Sequence, residues 1–551
     1  MIERAQLSRV LLRGALTFLV SALLAAPLAI AWGVGRAQVD DYLGANQVSI
    51  SVDYTSETRI DLGPLGNAYL PLDYGPVGLT ITVQGIRQPT TGSILSQDTL
   101  QSYLVLYNSP REVIVGIRDS LVVDAVQKAV VAELLLVLIM IGWTQRKHFL
   151  SERLVRMSRA QQGVLAYVVV IVVVGAVAIA PPAKEPSPRY GVPVAEGTPL
   201  EGMTVDSSLL ADLIDRGVKG VRAMAERQND AIDDYVTEAS GNLIDQSADL
   251  PAPEAGEDML LGMSDLHCSM AMTRVWTQVV NLTGPSQLFS SGDDTMNGTA
   301  SEQPCATAQR AIAGDRPFVD IGGNHDTAVT ERQMKAVGMT VLNGKVLDVD
   351  GTRYLGDDDP DYNPPLSMER IRERPETQVE MAERLMKIAT GRNVDILLVH
   401  QPNAARVITQ SPNPPAKLIA WGHMHTQVGP QVITHEDGSW TVTLQMGTAG
   451  GVAAPTITSF STPFSPPRKS ADGYFFFRDR ATGLITGVQP IHFLPDGSLI
   501  IEDRIPTGDL SALPPETRTR LGGAEASEPA TPGTATPGTA TPKSPRSGAA
   551  R

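Results

Sequence analysis

Residues 317–326 read PFVDIGGNHD, an apolar run of strand character that stops in two glycines, an amide, an imidazole and a carboxylate. The same design recurs on both sides. Residues 259–263 (MLLGM) run into Ser264, Asp265, Leu266 and His267, and residues 288–290 into the Gly292-Asp293-Asp294 cluster. Downstream, residues 395–399 (DILLV) run into His400, and residues 417–421 (KLIAW) into Gly422, His423, Met424 and His425. Helix-like stretches lie between them, at 272–282, 302–313 and 376–389. Short apolar runs alternating with amphipathic ones specify an α/β fold, and in such sheets the strand ends are where sites assemble. Periodicity by itself predicts a doubly wound sheet.

The residues at those strand ends are chemically related. Asp, His and Asn are hard or borderline donors suited to divalent Zn, Mn or Fe, with no need of a thiolate. In Asp-x-His and His-x-His, alternation turns two donors to one side of an extended loop end. Five of the eight histidines fall in these clusters, a concentration that isolated structural histidines do not explain. A carboxylate such as Asp293 has two oxygens and can serve two ions. Ions about 3.5–4 Å apart activate a shared water and clamp the attacking and leaving oxygens of an in-line displacement at phosphorus.

The ordered blocks Asp-x-His, Gly-Asp, Gly-Asn-His-Asp, an isolated His and Gly-His-x-His, from Asp265 to His425, resemble the signature of the calcineurin-like metallophosphoesterases. The resemblance implies a two-sheet β-sandwich flanked by helices over residues 257–505, holding two divalent metal ions (Mn, Fe or Zn). Asp265, His267 and His425 would bind one ion and Asn324, His400 and His423 the other, with Asp293 bridging both. His325 would stand by the scissile ester and assist the leaving oxygen, with Asp326 orienting it. The implied activity is hydrolysis of phosphate esters. Lipid or envelope phosphates and extracellular nucleotides are both open as substrates. The alternative is a non-catalytic receptor or scaffold that keeps the fold, but every ligand position holds a competent residue. A metallopeptidase would need a helical His-Glu-x-x-His, whereas His423 and His425 are two apart.

The rest of the 551-residue chain is arranged around a membrane. Residues 15–34, 125–143 and 163–180 are apolar runs able to span a bilayer core about 30 Å thick. The length of the first favours a retained anchor over a cleaved signal peptide. Basic residues cluster at Arg4, Arg9 and Arg13 in residues 1–14, and at Arg146, Lys147, Arg153, Arg156 and Arg159 in the 144–160 loop, so both segments are expected in the cytoplasm. Residues 36–120 and everything after 180 then lie outside. Alternating runs at 48–53, 78–83, 104–107 and 112–117 predict a small extracytoplasmic β-rich domain. Residues 181–256 read as a Pro-rich spacer and helical lead-in, and residues 523–551 as a disordered tail. A net charge of −15 disfavours nucleic-acid binding. Two cysteines exclude a disulfide-dense scaffold. On the outer side Cys268 and Cys305 are expected to form a disulfide, the alternative being a free Cys268 beside the metals. Asp294 either tunes local pKa values or faces solvent. The acidic loop 356–365 (GDDDPDYNPP) either lines the substrate entrance, binds calcium or is a solvated turn.

Overall fold

The computed structural model describes residues 2–43, 46–72, 75–86, 110–149, 188–193, 201–363, 370–453 and 465–522. In the C-terminal domain two mixed sheets lie face to face. One has the spatial order Thr340–Val341, Phe318–Asp320, Gln287–Ser290, Glu257–Met263, Ala471–Asp479, Ile485–Phe493, Leu499–Ile501, with Ile505–Pro506 also paired to Ile485–Phe493. The other runs Leu347–Val349, Thr352–Gly356, Val394–Leu398, Ala416–Trp421, Trp440–Gln445, Val428–Thr434. Within each sheet the strands that lead into the ligand-type clusters are parallel to one another, so all five deliver their C-terminal ends to one edge.

Both faces of these strands are buried, which hides their alternation in the sequence. In Glu257–Met263, Leu260 joins the core between the sheets while Met259, Leu261 and Met263 join the core under the helices. Ala471–Asp479 divides the same way, Tyr474 and Phe476 inward, Phe475 and Phe477 outward. Helices Ser208–Asp245, Met270–Thr283 and Gln303–Ala313 cover the first sheet, and Gln378–Ala389 and Pro402–Thr409 the second. The layering is therefore helix, sheet, sheet, helix. This two-sheet arrangement is the one that the resemblance implies; periodicity alone would give a doubly wound sheet, because a two-faced strand reads alike whether its second face meets a helix or another sheet.

Helices Ile2–Val34 and Pro110–Phe149 pack together ahead of this domain. Their stretches Ala15–Val34 and Val115–Gly142 are long and apolar enough to cross a membrane. These are two among the described residues. The third expected span, 163–180, lies outside them, as do most of the 144–160 loop and the 523–551 tail. A sheet of strands between Gln38–Leu43 and Gly78–Ile86 follows the first helix, and Tyr190–Gly191 and Thr204–Val205 complete it. Part of the expected spacer is thus built into this sheet. The strand expected at 104–107 is outside the described residues. The one expected at 112–117 is helical instead, because this β-branched run continues unbroken into the apolar stretch, where context overrides propensity.

Arg504 fastens the end of the domain. Its guanidinium forks onto buried Glu257 (2.6 and 3.0 Å) and lies 4.0 Å over the Phe477 ring. Arg504→Met leaves that carboxylate without its partner and should lower the unfolding free energy by about 3 kcal/mol. Denaturant melts of the detergent-solubilised chain check this, and an unshifted midpoint would show that the pair contributes no net stability.

Candidate metal centre

Asp265 and His267 follow strand Glu257–Met263, and Asp293 follows Gln287–Ser290. Asn324 and His325 follow Phe318–Asp320, His400 follows Val394–Leu398, and His423 and His425 follow Ala416–Trp421. Asp265, His267, Asp293, His423 and His425 all have φ between 45° and 73°. Left-handed backbone at a non-glycine residue costs on the order of 1–3 kcal/mol and persists only where surrounding contacts over-determine it. The glycines explain how the loops press so close. A Cβ on Gly292 or Gly323 would overlap the other's loop, so Gly292-Asp293 and Gly322-Gly323-Asn324 touch backbone to backbone.

The donors collect in two groups, Asp265 with His267 and His425, and Asp293 with His400 and His423. Asp265 Oδ1 is 3.2 Å from His425 Nε2, and Asp293 Oδ2 is 3.1 Å from His400 Nε2. Asp293 Oδ2 also lies 3.8 Å from His267 Nε2, so this carboxylate stands between the groups. Asn324 Oδ1 is 3.1 Å from His400 Nε2. Carbonyl oxygens set the tautomers. His400 Nδ1 lies 2.8 Å from Ser291 O and His425 Nδ1 2.9 Å from Val452 O, so each ring donates there and turns its Nε2 inward to the carboxylates.

Electrostatics prepare the cluster for cations. Burial pushes His267 down to about 3 and His423 to about 4, keeping both rings neutral with lone pairs available. Burial opposes ionisation of Asp265 and Asp293, but His425 beside the first and His400 beside the second outweigh it and hold both carboxyls below the usual range. His267 Nε2 and His425 Nε2 face each other at 3.1 Å. Asn324 Nδ2 is buried with no hydrogen-bond partner among the described residues. Four converging ring nitrogens, two ionised carboxylates and an orphaned donor fit a pair of divalent ions, which would displace any protons on the rings, and an oxyanion.

The backbone N–H of His325 donates to Asp293 Oδ1 (2.8 Å), and its Nδ1 lies 3.1 Å from Met296 O. Among the described residues the hydrogen-bond partner of the His325 ring is this carbonyl, and the hydrogen bonds of Asp326 go to the neighbouring turn. The Asp326 carboxylate accepts from the backbone N–H groups of Gly323, Asp294 and Thr295 and from Thr295 Oγ1, while its own N–H closes the Asn324–His325 turn on Gly323 O. Cys268 and Cys305 are joined by a disulfide, Cα atoms 4.9 Å apart, which ties the loop after His267 to helix Gln303–Ala313.

Asp294 is buried rather than solvent-facing. It accepts from Ser290 Oγ and Gln309 Nε2, and burial, then Asp326, pushes its carboxyl up to about 7. The acidic loop is partnered by arginines: Arg374 pairs with Asp357 and Asp358, and Arg384 with Asp357. Asp358 Oδ1 also accepts the Gly322 N–H at 2.7 Å, bracing the Asn324 turn. Sequence reading missed Gln401 and Met296. Gln401 donates to Asn324 Oδ1 at 2.8 Å, and its only signal was its place next to His400. Met296 acts through its carbonyl, which no side-chain motif reports.

Residues 260–427 match the family model for calcineurin-like phosphoesterases. No curated protein matches the chain. Among solved structures, Yfce, a phosphoesterase from E. coli, is similar at 13% identity over 45% of this chain and 100% of that one, with a TM-score of 0.23. A metallophosphoesterase from Sphaerobacter thermophilus is similar at 13% identity over 48% and 98%, TM-score 0.21. An archaeal phosphodiesterase is similar at 11% identity over 40% and 97%, TM-score 0.23.

Since Asp293 stands between both donor groups, Asp293→Ala should deplete both metal ions, whereas His423→Ala should deplete one. Elemental analysis of the purified variants reads this directly; a full metal complement in Asp293→Ala would refute the bridging position.

Proposed function

Residues 260–427 form a calcineurin-like phosphoesterase domain, which makes the chain a metal-dependent phosphoesterase, and from that premise we propose a membrane-anchored, outward-facing hydrolase of phosphate esters. The observation that carries the reading is the convergence of two complete donor groups on either side of one carboxylate. Asp265, His267 and His425 would hold one ion, and His400, His423 and Asn324 the other, with Asp293 shared. Such a metal pair, when bound, supplies Lewis acidity and a water acidic enough to attack phosphorus at neutral pH.

The protein's own groups do the rest. Asn324 keeps its Oδ1 engaged by Gln401, which leaves Nδ2 to donate to a phosphate oxygen. His325, anchored through Nδ1 on Met296 O, presents Nε2 as the proton donor to the leaving oxygen. Asp293 accepts the His325 N–H, which holds the acid at a constant offset from the shared carboxylate. Asp326 steadies the Thr295 turn that leads into Met296.

Support for the membrane reading comes from apolar side chains on which no described residue packs closely. Leu23 is 75% exposed and Leu138 65%, which suits a hydrocarbon surround and not water. The outward side is supported by the basic clusters at the N-terminus and the 144–160 loop. It is also supported by the contact of the phosphoesterase domain with the opposite, N-terminal end of helix Pro110–Phe149, where Gly116 seats against Ala300.

His325→Ala should keep both metals and lower turnover by roughly 10²–10⁴-fold, the usual worth of a positioned acid. Hydrolysis of a nitrophenyl monoester and of the bis-nitrophenyl diester, with metal content verified, tests this; wild-type turnover would sink the assignment. A reporter fused after Arg551 should function only if it is of the kind that works outside the cytoplasm, and activity of a cytoplasmic reporter there would reverse the topology.

A further inference from the structure

A cavity of about 500 Å³ lies where the phosphoesterase domain meets the apolar helix pair. One wall is helix Pro110–Phe149, through Ser120, Val123, Asp124 and Gln127. Strand Gln38–Leu43 contributes residues 38–41, and the phosphoesterase domain contributes residues 297–300 and 327–329. These last two segments flank the acid. Residue 297 follows the Met296 carbonyl that holds His325 Nδ1, and Thr327 is two residues past His325. Thr327 Oγ1 donates to Gly298 O at 2.6 Å, and Tyr362 Oη to Asn297 O at 2.8 Å, so the cavity wall and the His325 support are one hydrogen-bonded unit.

The depth of this cavity can be counted along the helix. The apolar stretch Val115–Gly142 has 28 residues. About 20 residues cross the hydrocarbon core, and that length counted back from Gly142 reaches Val123. Just inside that level Lys128 reaches back to Asp124 Oδ2 and to Arg36 O at the end of the first helix, as cations near an interface do. The cavity therefore opens at head-group level. Below it an exposed apolar stripe runs down the same helix face through Val123, Val126, Val130 and Leu134. Four carboxylates line the wall: Asp41 Oδ2 accepts the Ala300 N–H, Asp124 pairs with Lys128, Asp40 Oδ1 accepts from Gln38 Nε2 at 3.4 Å, and Glu373 is the fourth. Arg332 lines the cavity with no ion pair among the described residues.

We propose that the cavity receives a lipid-borne phosphate ester, its acyl chain lying along the Val123–Val126–Val130–Leu134 stripe and its head group beside the His325 support. The substrate of the metal centre is then a membrane lipid phosphate and not a soluble nucleotide. The proposal rests on the membrane-anchored hydrolase reading above and deepens it.

The test uses the full chain, metal-loaded, in phosphatidylcholine nanodiscs carrying phosphatidic acid or phosphatidylglycerol, with nitrophenyl monoester and diester as soluble probes. Val123→Trp and Ser120→Trp fill the cavity from the helix side, away from the metal donors. The wild type should hydrolyse a lipid ester. Both variants should lower that rate by roughly tenfold or more, as misplacing a substrate does, while soluble-probe hydrolysis stays near wild type and certifies the fold. Lipid hydrolysis unaffected by both substitutions, soluble and lipid activities falling together in both variants, or a wild type active on soluble esters alone would each overturn the lipid site. A wild type inactive on every ester would instead overturn the hydrolase reading beneath it.

Discussion

Asp293 is held from every side, and the arrangement of the metal centre depends on it. Its carbonyl accepts the His267 N–H at 3.0 Å, its Oδ1 accepts the His325 N–H, and its Oδ2 faces His400. Four strand ends from two sheets are thereby referenced to one residue. The cost is a left-handed backbone at a non-glycine position, repeated at four other candidate ligands. Gly292 and Gly323 make that geometry reachable, since a side chain on either would force the loops apart. The two-sheet core beneath supplies the rigidity, with Leu260, Phe289, Val319, Ile396 and Leu418 packed between the sheets under the strands that end at the site.

A second ring of acids surrounds the donors and behaves differently. Asp265 and Asp293 are buried but ionised, because imidazoles beside them outweigh desolvation. For Asp294 burial and then the charge of Asp326, and for Asp320 burial and then the charge of Asp294, push the carboxyl upward and favour the protonated form. Negative charge is thus favoured on the inner oxygens, where cations are to sit, and disfavoured on these outer carboxyls. The disulfide between Cys268 and Cys305 joins this outer ring to helix Gln303–Ala313, whose Gln309 holds Asp294.

The turn from Thr295 to Ala300 connects the centre to the rest of the chain. Glu302 accepts from the backbone N–H groups of Met296, Asn297 and Thr299, and Gln333 donates to the carbonyls of Thr299 and Ala300. Asp41, from the sheet that follows the first apolar helix, accepts the Ala300 N–H. One turn therefore carries the His325 support on one side and the contact with the N-terminal domain on the other.

Much of this was legible in the sequence. Apolar runs ending in Asp, His and Asn announced parallel strands with donors at one edge, because residue type carries ligand chemistry and strand ends carry position. The seven ligand-type residues and the two apolar helices follow from identity and spacing; the cysteine pairing was an expectation with a free Cys268 as its alternative, and the 4.9 Å Cα separation decides it. Other features depended on through-space neighbours that no local pattern encodes. A strand buried on both faces reads alike in a doubly wound sheet and in a sandwich, so the second sheet came from the motif resemblance and not from periodicity. The run at 112–117 has strand composition but is helical in the context of the apolar stretch it begins. Asp326 sits beside His325 in the chain, but its carboxylate bonds the turn at Thr295, and the ring meets the carbonyl of Met296, 29 residues earlier. Residue type and spacing determined which atoms this protein offers a metal. Only the tertiary structure decided which backbone groups hold them, because every residue carries the same carbonyl and N–H and packing alone selects among them.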